Sequence, residues 1–203
     1  MQKINVIIGT NNSHKVVEFS RLLKPAPIFL VKPNDLGLNL EANETGLSYA
    51  ENAILKAESF SRVTGLTAIA DDSGIEVKAL DYRPGIYSAR YGGLGLSDSD
   101  RTELLLEEMS SVADNQRECR YVAAIAVCWA GGRTETYEDV CNGELSRSPV
   151  GQNGFGYDPI FKPVGQDKTM AQLTDIEKDE LSHRGKAIRL FLRKNGLNST
   201  KND

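Results

Sequence analysis

The chain has only two histidines, three cysteines and one tryptophan among its 203 residues. None of the cysteines forms a CxxC pair, so a structural metal site of the zinc type has no ligand set, and an odd count gives no disulfide framework. Cys119, Cys128 and Cys141 read instead as reduced, buried thiols of a cytosolic protein. There is no GxSxG, no HExxH and no Cys–His pairing, which removes support for nucleophilic and zinc-hydrolase chemistry. No apolar run approaches a membrane-spanning length, and that of "MQKINVIIGTNN" is too short for a signal peptide, so a soluble cytoplasmic protein is expected. A net charge of −4 argues against duplex nucleic acid as a partner, since such binding neutralises phosphates with many cations. It leaves room for one local cationic pocket for a small anion. No internal repeat and no Pro/Gly/Ser-rich linker interrupts the chain, so residues 1–196 are expected to form a single domain, with 197–203 a disordered tail.

What is present alternates between strand and helix patterns. "INVIIG" (4–9) reads as a buried strand leading through "TNNS" into a helix with Val16, Phe19, Leu22 and Leu23 on one face and Asn12 or Ser13 as N-cap. A second helix is expected over 44–65, with Leu47, Ala50, Ile54, Ala57 and Phe60 facing the core and Gly65 closing it. "LTAIA" (66–70) reads as a buried strand ending at Asp71, "SDSDRTELLLEEMSSV" (97–112) as a capped helix, and "YVAAIAVCWA" (121–130) as the first arm of a hairpin turning at Gly131–Gly132. A Thr–x–x–Glu capping box opens a last helix over 174–196. The order predicts an α/β or α+β chain with a mixed sheet.

Six stretches could carry chemistry, and each has a plainer alternative. "GTNNSHK" (9–15) places Thr10, Asn11, Asn12, Ser13, His14 and Lys15 at a helix N-terminus, which suits a phosphate, yet it is also an ordinary capped βα loop. Ser48, Asn52 and Lys56 form a polar stripe that on its own reads as a solvated face. Glu41 and Glu44 just upstream are first-turn acids favoured by the helix dipole or carboxylates for a metal. Asp71 and Asp72 point to opposite faces if extended, and "ADDSG" is either strand punctuation or one cleft-facing acid. Oxygen ligands without a His/Cys cluster suit Mg²⁺ or Mn²⁺ rather than zinc. "PGIYSARYGG" carries Ser88 and Arg90, and "GQNGFGYDPIF" (151–161) sets Phe155 and Tyr157 among glycines that permit close backbone approach. Lys178, His183 and Arg184 complete the set near the start of the last helix.

In order, T-N-N-x-x-K, E-T-G, E-N-A-x-x-K-A, A-D-D-S-G, P-G-x-Y-S-A-R-Y, G-F-G-Y-D-P-x-F and S-H-R resemble the inosine/xanthosine triphosphate pyrophosphatase family, the Ham1/RdgB-like enzymes, from about residue 4 to 195. The resemblance implies an elongated mixed β-sheet flanked by helices, two lobes with a central nucleotide cleft, and a homodimer. It implies Mg²⁺-dependent hydrolysis of non-standard purine nucleoside triphosphates (ITP, dITP, XTP) to the monophosphate and pyrophosphate. Residues 10–15 and Lys56 would then hold the triphosphate, Asp72 would bind Mg²⁺ and act as or orient the base, Asp71 would brace it, and Ser73 would touch the nucleotide. Glu44, or failing it Glu41, would be the second metal carboxylate; the purine would fall to Phe155, Gly156, Tyr157, Asp158, Lys178, His183 and Arg184. Many members have Gly where this chain has Asn11, the non-glycine residue that best tolerates left-handed backbone. Two other classes stand beside this reading: a Maf-like pyrophosphatase of modified pyrimidine nucleotides, and a nucleotide-binding protein without catalysis.

Overall fold

The apolar, β-branched run at the start forms strand β1 (Ile4–Ile8), followed by helix α1 (Ser13–Leu22) and strand β2 (Ile28–Val31), which pairs with β1 in parallel. The computed structural model describes residues 3–198 of the chain. Helix α2 (Tyr49–Thr64) then crosses to β3 (Thr67–Val77), which lies parallel to β1 on its other side. After helix α3 (Asp98–Glu108), strands β4 (Glu118–Cys128) and β5 (Thr134–Leu145) form the expected hairpin, turned at Trp129–Arg133. β6 (Phe161–Pro163) adds antiparallel to β5, and helices α4 (Asp175–Leu181) and α5 (His183–Lys194) end the fold. The six strands lie in the order β2-β1-β3-β4-β5-β6, a mixed α/β sheet.

The chain divides into two compact units. The first runs to Asp72 and includes Ala123–Asp139 and the chain from Arg184; the second holds Ser73–Val122 and Val140–His183. The first buries Val6, Ile8, Phe19, Ile125, Ile188 and Phe191 together, and the second buries Ile75, Leu105, Met109, Tyr121 and Phe161. All three cysteines are buried in strands, as expected of reduced thiols. Among the described residues no helix is long and apolar enough to cross a membrane.

Four boundaries differ from the sequence expectation. Strand β3 does not stop at the paired aspartates but continues through Asp71, Asp72, Ser73 and Gly74 to Val77. Helix α2 starts five residues later than 44, because Ser48 caps it by accepting from the Glu51 N–H, and Leu47 is left 86% exposed. The 174–196 helix is split at Ser182, whose backbone is extended (φ −67°, ψ 150°). Serine competes well with helical backbone at such a position because its hydroxyl favours cap geometry. Leu197, assigned to a disordered tail, instead packs into the first core with its N–H on the Leu192 carbonyl. The rest of that expectation, over 199–203, lies outside the described residues.

Candidate active site

Alternation along β3 sends Asp71 and Asp72 to opposite faces, and each meets a different set of cations. Lys56 Nζ lies 2.8 Å from Asp72 Oδ1 and 3.0 Å from Glu44 Oε1. Asn52, one turn before Lys56 on α2, donates to Asp72 Oδ2 at 3.4 Å and accepts from the Gly46 N–H at 2.8 Å. The polar stripe of α2 is therefore an inward face: Asn52 is 0% and Lys56 8% exposed. Gly46 of the E-T-G motif is fixed by crowding, since a Cβ there would lie 2.8 Å from Asn52 Oδ1. That close approach brings Glu44 to Lys56, whereas Glu41 forms no ion pair among the described residues.

On the other face, Arg184 at the start of α5 donates to Asp71 through Nε (3.1 Å) and Nη2 (2.8 Å), and to Glu18 through Nη1 (2.5 Å). Lys15 Nζ sits 3.2 Å from Asp71 Oδ1. Glu18 carries no motif in the sequence; its one signal is a place one turn beyond Lys15 on α1. Two guanidinium N–H groups thus converge on the single oxygen Asp71 Oδ2, and charge-assisted hydrogen bonds of this kind are stronger than neutral ones.

The charges set one another. Burial alone would raise Asp71, but Arg184 and Lys15 outweigh it and hold the carboxyl well below the usual carboxylate range. Burial lowers Lys15, only partly opposed by Asp71. Burial would also lower Lys56, but Asp72 and Asp71 together raise it. Asp72 is raised by burial, with Glu44 adding to the effect and Lys56 opposing it. A carboxylate pushed upward is better suited to accept a proton than an exposed one.

The N-terminal loop carries its own order. Asn12 Oδ1 accepts from the N–H groups of His14 (3.0 Å) and Lys15 (3.2 Å), and Thr10 Oγ1 accepts from the Asn12 N–H (3.1 Å). Asn12 is thus the N-cap, with Ser13 the first residue of α1. Residues Asn11 to His14 are exposed. Asn11 does not adopt positive φ; its amide instead donates to the Leu40 carbonyl at 3.1 Å.

In the second unit the predicted purine residues gather around Asp158. Its Oδ2 accepts from Lys178 Nζ (2.5 Å) and the Phe155 N–H (2.9 Å), and its Oδ1 from Tyr121 Oη (3.3 Å). Lys178 lies 5.0 Å from the Phe155 ring centroid, and His183 stacks on Tyr121. Phe155 is half-buried, while Tyr157 is a core residue whose hydroxyl donates to the Ser88 carbonyl at 2.9 Å. Of the two aromatics, Phe155 is the less buried. Gly156 donates its N–H to Asp98 at 2.8 Å. Ser73 is half-buried, and Arg90 lies over the Tyr87 ring at 4.9 Å. Ser88 accepts from the Ile75 N–H at 2.9 Å and so ties the P-G-x-Y-S segment to β3. Within the S-H-R motif, His183 stacks on Tyr121, and Arg184 is hydrogen-bonded to Asp71 and Glu18.

Among the described residues no three His, Cys, Asp or Glu side chains converge to hold a metal unaided. Asp72 and Glu44 nevertheless direct carboxylate oxygens at one positive charge, Lys56 Nζ. Such a two-carboxylate set fits a hard cation that takes its remaining ligands from water and substrate phosphates.

Known proteins share this arrangement of sequence. A dITP/XTP pyrophosphatase of Shigella flexneri is 44% identical over 95% of this chain and 97% of its own length. One from Bacillus licheniformis is 42% identical over 91% and 94%. The structure of the Staphylococcus aureus Ham1 protein superposes with a TM-score of 0.83 at 37% identity, covering 95% of this chain and 98% of that one. A HAM1 protein from Coxiella burnetii gives 0.85 at 34% identity over the same shares. The Ham1 family profile matches residues 6–194, essentially all of both units, and the chain belongs to the Ham1 family.

Proposed function

We propose that the chain hydrolyses non-standard purine nucleoside triphosphates (ITP, dITP and XTP) to the nucleoside monophosphate and pyrophosphate, clearing them from the nucleotide pool. The observation that carries this reading is the pairing of Lys56 with both Asp72 and Glu44 on one face of β3, and of the buried Asp71 with Lys15 and Arg184 on the other. Relatives named dITP/XTP pyrophosphatase cover the same span.

In this reading a water attacks the α-phosphorus and pyrophosphate leaves. Asp72 orients that water and accepts its proton, a role its raised pKa favours. Lys15, Lys56 and the polar side chains of residues 10–14 take up the growing negative charge on the phosphates. Asp71, clamped by Arg184, holds Lys15 in place. Mg²⁺, or Mn²⁺, bound at Asp72 and Glu44 would neutralise phosphate charge and polarise the phosphorus. Phe155 stacks on the purine, and Lys178 and His183 present donors to its 6-oxo group. Adenine has an amino donor at that position and would leave such groups unpaired, at about 1–3 kcal/mol each. As the family resemblance implies, the protein would act as a cytoplasmic homodimer.

The test is incubation with ITP, XTP, GTP and ATP plus Mg²⁺, with product identification. Pyrophosphate from ITP and XTP at rates well above ATP is expected; orthophosphate release, or equal rates on ATP, would overturn the reading. Asp72→Asn separates it from a non-catalytic binder: turnover should vanish while nucleotide binding largely survives.

A further inference from the structure

One residue in the second unit touches two of the predicted purine-reading side chains and has no role so far. Tyr121 is buried near the start of the β4–β5 hairpin's long first arm. Its hydroxyl reaches Asp158 Oδ1 at 3.3 Å, completing a carboxylate whose other oxygen is taken by Lys178 and the Phe155 N–H. Its ring stacks on the His183 imidazole, with centroids 4.7 Å apart and planes 13° apart, and also meets Phe161 at 4.4 Å.

We propose that Tyr121 is a positioning residue for base recognition: its hydroxyl sets the rotation of the Asp158 carboxylate, and its ring sets the plane of the His183 imidazole. This rests on the reading that Asp158, Lys178 and His183 serve the purine. Asp158 in turn places Lys178 and the Phe155 backbone, so one side chain on β4 governs groups from the 154–158 loop, from α4 and from the start of α5. Burial and the neighbouring Asp158 push the phenol far above its ordinary range, so it remains a donor at any working pH. Planar stacking holds an imidazole against tilting more firmly than aliphatic contact does, because the rings must separate before they can turn.

Two substitutions separate the two contacts. Tyr121→Phe keeps the ring and deletes the hydroxyl; Tyr121→Leu deletes the stack as well. For Tyr121→Phe we expect KM for ITP to rise about three- to tenfold, the scale of one ordinary hydrogen bond because the hydroxyl acts on the base only through Asp158, with kcat little changed and the ITP-over-ATP preference reduced. Inorganic tripolyphosphate, which has no base, should inhibit wild type and Tyr121→Phe with the same Ki. A second readout needs no turnover. The chain has only His14 and His183, so their imidazole proton resonances are easily assigned. The Tyr121 ring current should shift those of His183, and the shift should persist in Tyr121→Phe and collapse in Tyr121→Leu.

Equal losses of kcat for all substrates, or weaker tripolyphosphate inhibition, would mean a merely structural role and overturn the proposal. His183→Gln is the control for the underlying reading. If His183→Gln leaves the ITP-over-ATP preference intact, the base-reading assignment itself fails. If His183→Gln erodes it and Tyr121→Phe does not, the assignment stands and the Tyr121 proposal falls. Should Tyr121→Leu fold poorly, Tyr121→Phe still decides the matter.

Discussion

Lys56 and Asp72 form a buried ion pair, Nζ to Oδ1 at 2.8 Å, and the lysine also reaches Glu44 at 3.0 Å. One cation therefore serves two carboxylates from separate segments. Replacing it with methionine would leave both acids facing each other in a partly desolvated site. We expect Lys56→Met to lower kcat/KM on ITP roughly 100- to 1,000-fold, the range for losing one charge-stabilising donor. Steady-state kinetics on the folded variant, verified by circular dichroism, checks this; a change below tenfold would remove Lys56 from the phosphate-binding role.

Arg184 offers a sharper division between two roles. The S-H-R pattern suggested a base contact, but the guanidinium is buried on Asp71 and Glu18. Breaking a buried pair by removing one partner costs about 3–5 kcal/mol, because the abandoned charges remain buried. Arg184→Met should therefore cost stability of that order in urea melts, and Arg184→Lys should recover only part of it, lacking the two-pronged geometry. Unchanged stability with a raised KM for ITP alone would instead restore Arg184 to the purine site.

Lys56 and Arg184 show how much of the site is legible in the sequence. The periodicities of "INVIIG" and "YVAAIAVCWA" were sufficient for a mixed α/β sheet, because burying apolar area dominates where strands form. Motif order brought Lys15, Lys56, Asp71 and Asp72 to notice, but not their partners. Glu18 and Tyr121 act through contacts far away in sequence, with Arg184 and His183 respectively, and no local spacing encodes those. The stripe Asn52–Lys56 looked solvated because helical periodicity reports polarity, not which face is inside. Strand β3 looked ended at Asp71 because propensity disfavours paired acids there; separate cations on the two faces override it.

The two glycines flanking Phe155 should differ in their tolerance of alanine. A Cβ on Gly154 would lie 2.0 Å from Asp158 Oδ2 and 2.9 Å from Lys178 Nζ, at φ +77°. Gly156 has φ +62° but nothing within 4 Å. Gly156→Ala should cost only the left-handed backbone penalty, about 1–2 kcal/mol. Gly154→Ala should cost more and also erode the ITP-over-ATP preference, because the Asp158–Lys178 pair must move. Thermal melts with paired ITP and ATP kinetics test this, and equal behaviour of the two variants would refute it.

Tyr91 gives a pH prediction with a definite sign. Burial, then the hydrogen bond to Glu108 at 2.5 Å, raise its phenol from 10.0 to about 12, against the opposing Arg83 charge. A folded pKa above the unfolded value contributes stability that is complete below pH 10 and is lost as pH rises toward 12. Wild type should therefore lose stability more steeply than Tyr91→Phe across that window. Urea melts between those limits measure the slopes; a steeper loss in Tyr91→Phe would reverse the sign and refute the assignment.

The choice between the two upstream glutamates follows from the Gly46 turn. With Asn52 Oδ1 fixed by the Gly46 N–H, the segment before α2 carries Glu44 onto Lys56, while Glu41 stays exposed. If Mg²⁺ binds at Asp72 and Glu44, removing the Glu44 charge should raise the Mg²⁺ concentration for half-maximal activity at least tenfold, with little effect from Glu41→Gln. The effect is expected to be partial, since Asp72 and the substrate phosphates remain as ligands. Glu44→Gln should also bind Mn²⁺ more weakly in titrations of the nucleotide-free protein, an independent readout of the ligand set. A larger loss from Glu41→Gln than from Glu44→Gln in both measurements would move the second carboxylate to Glu41.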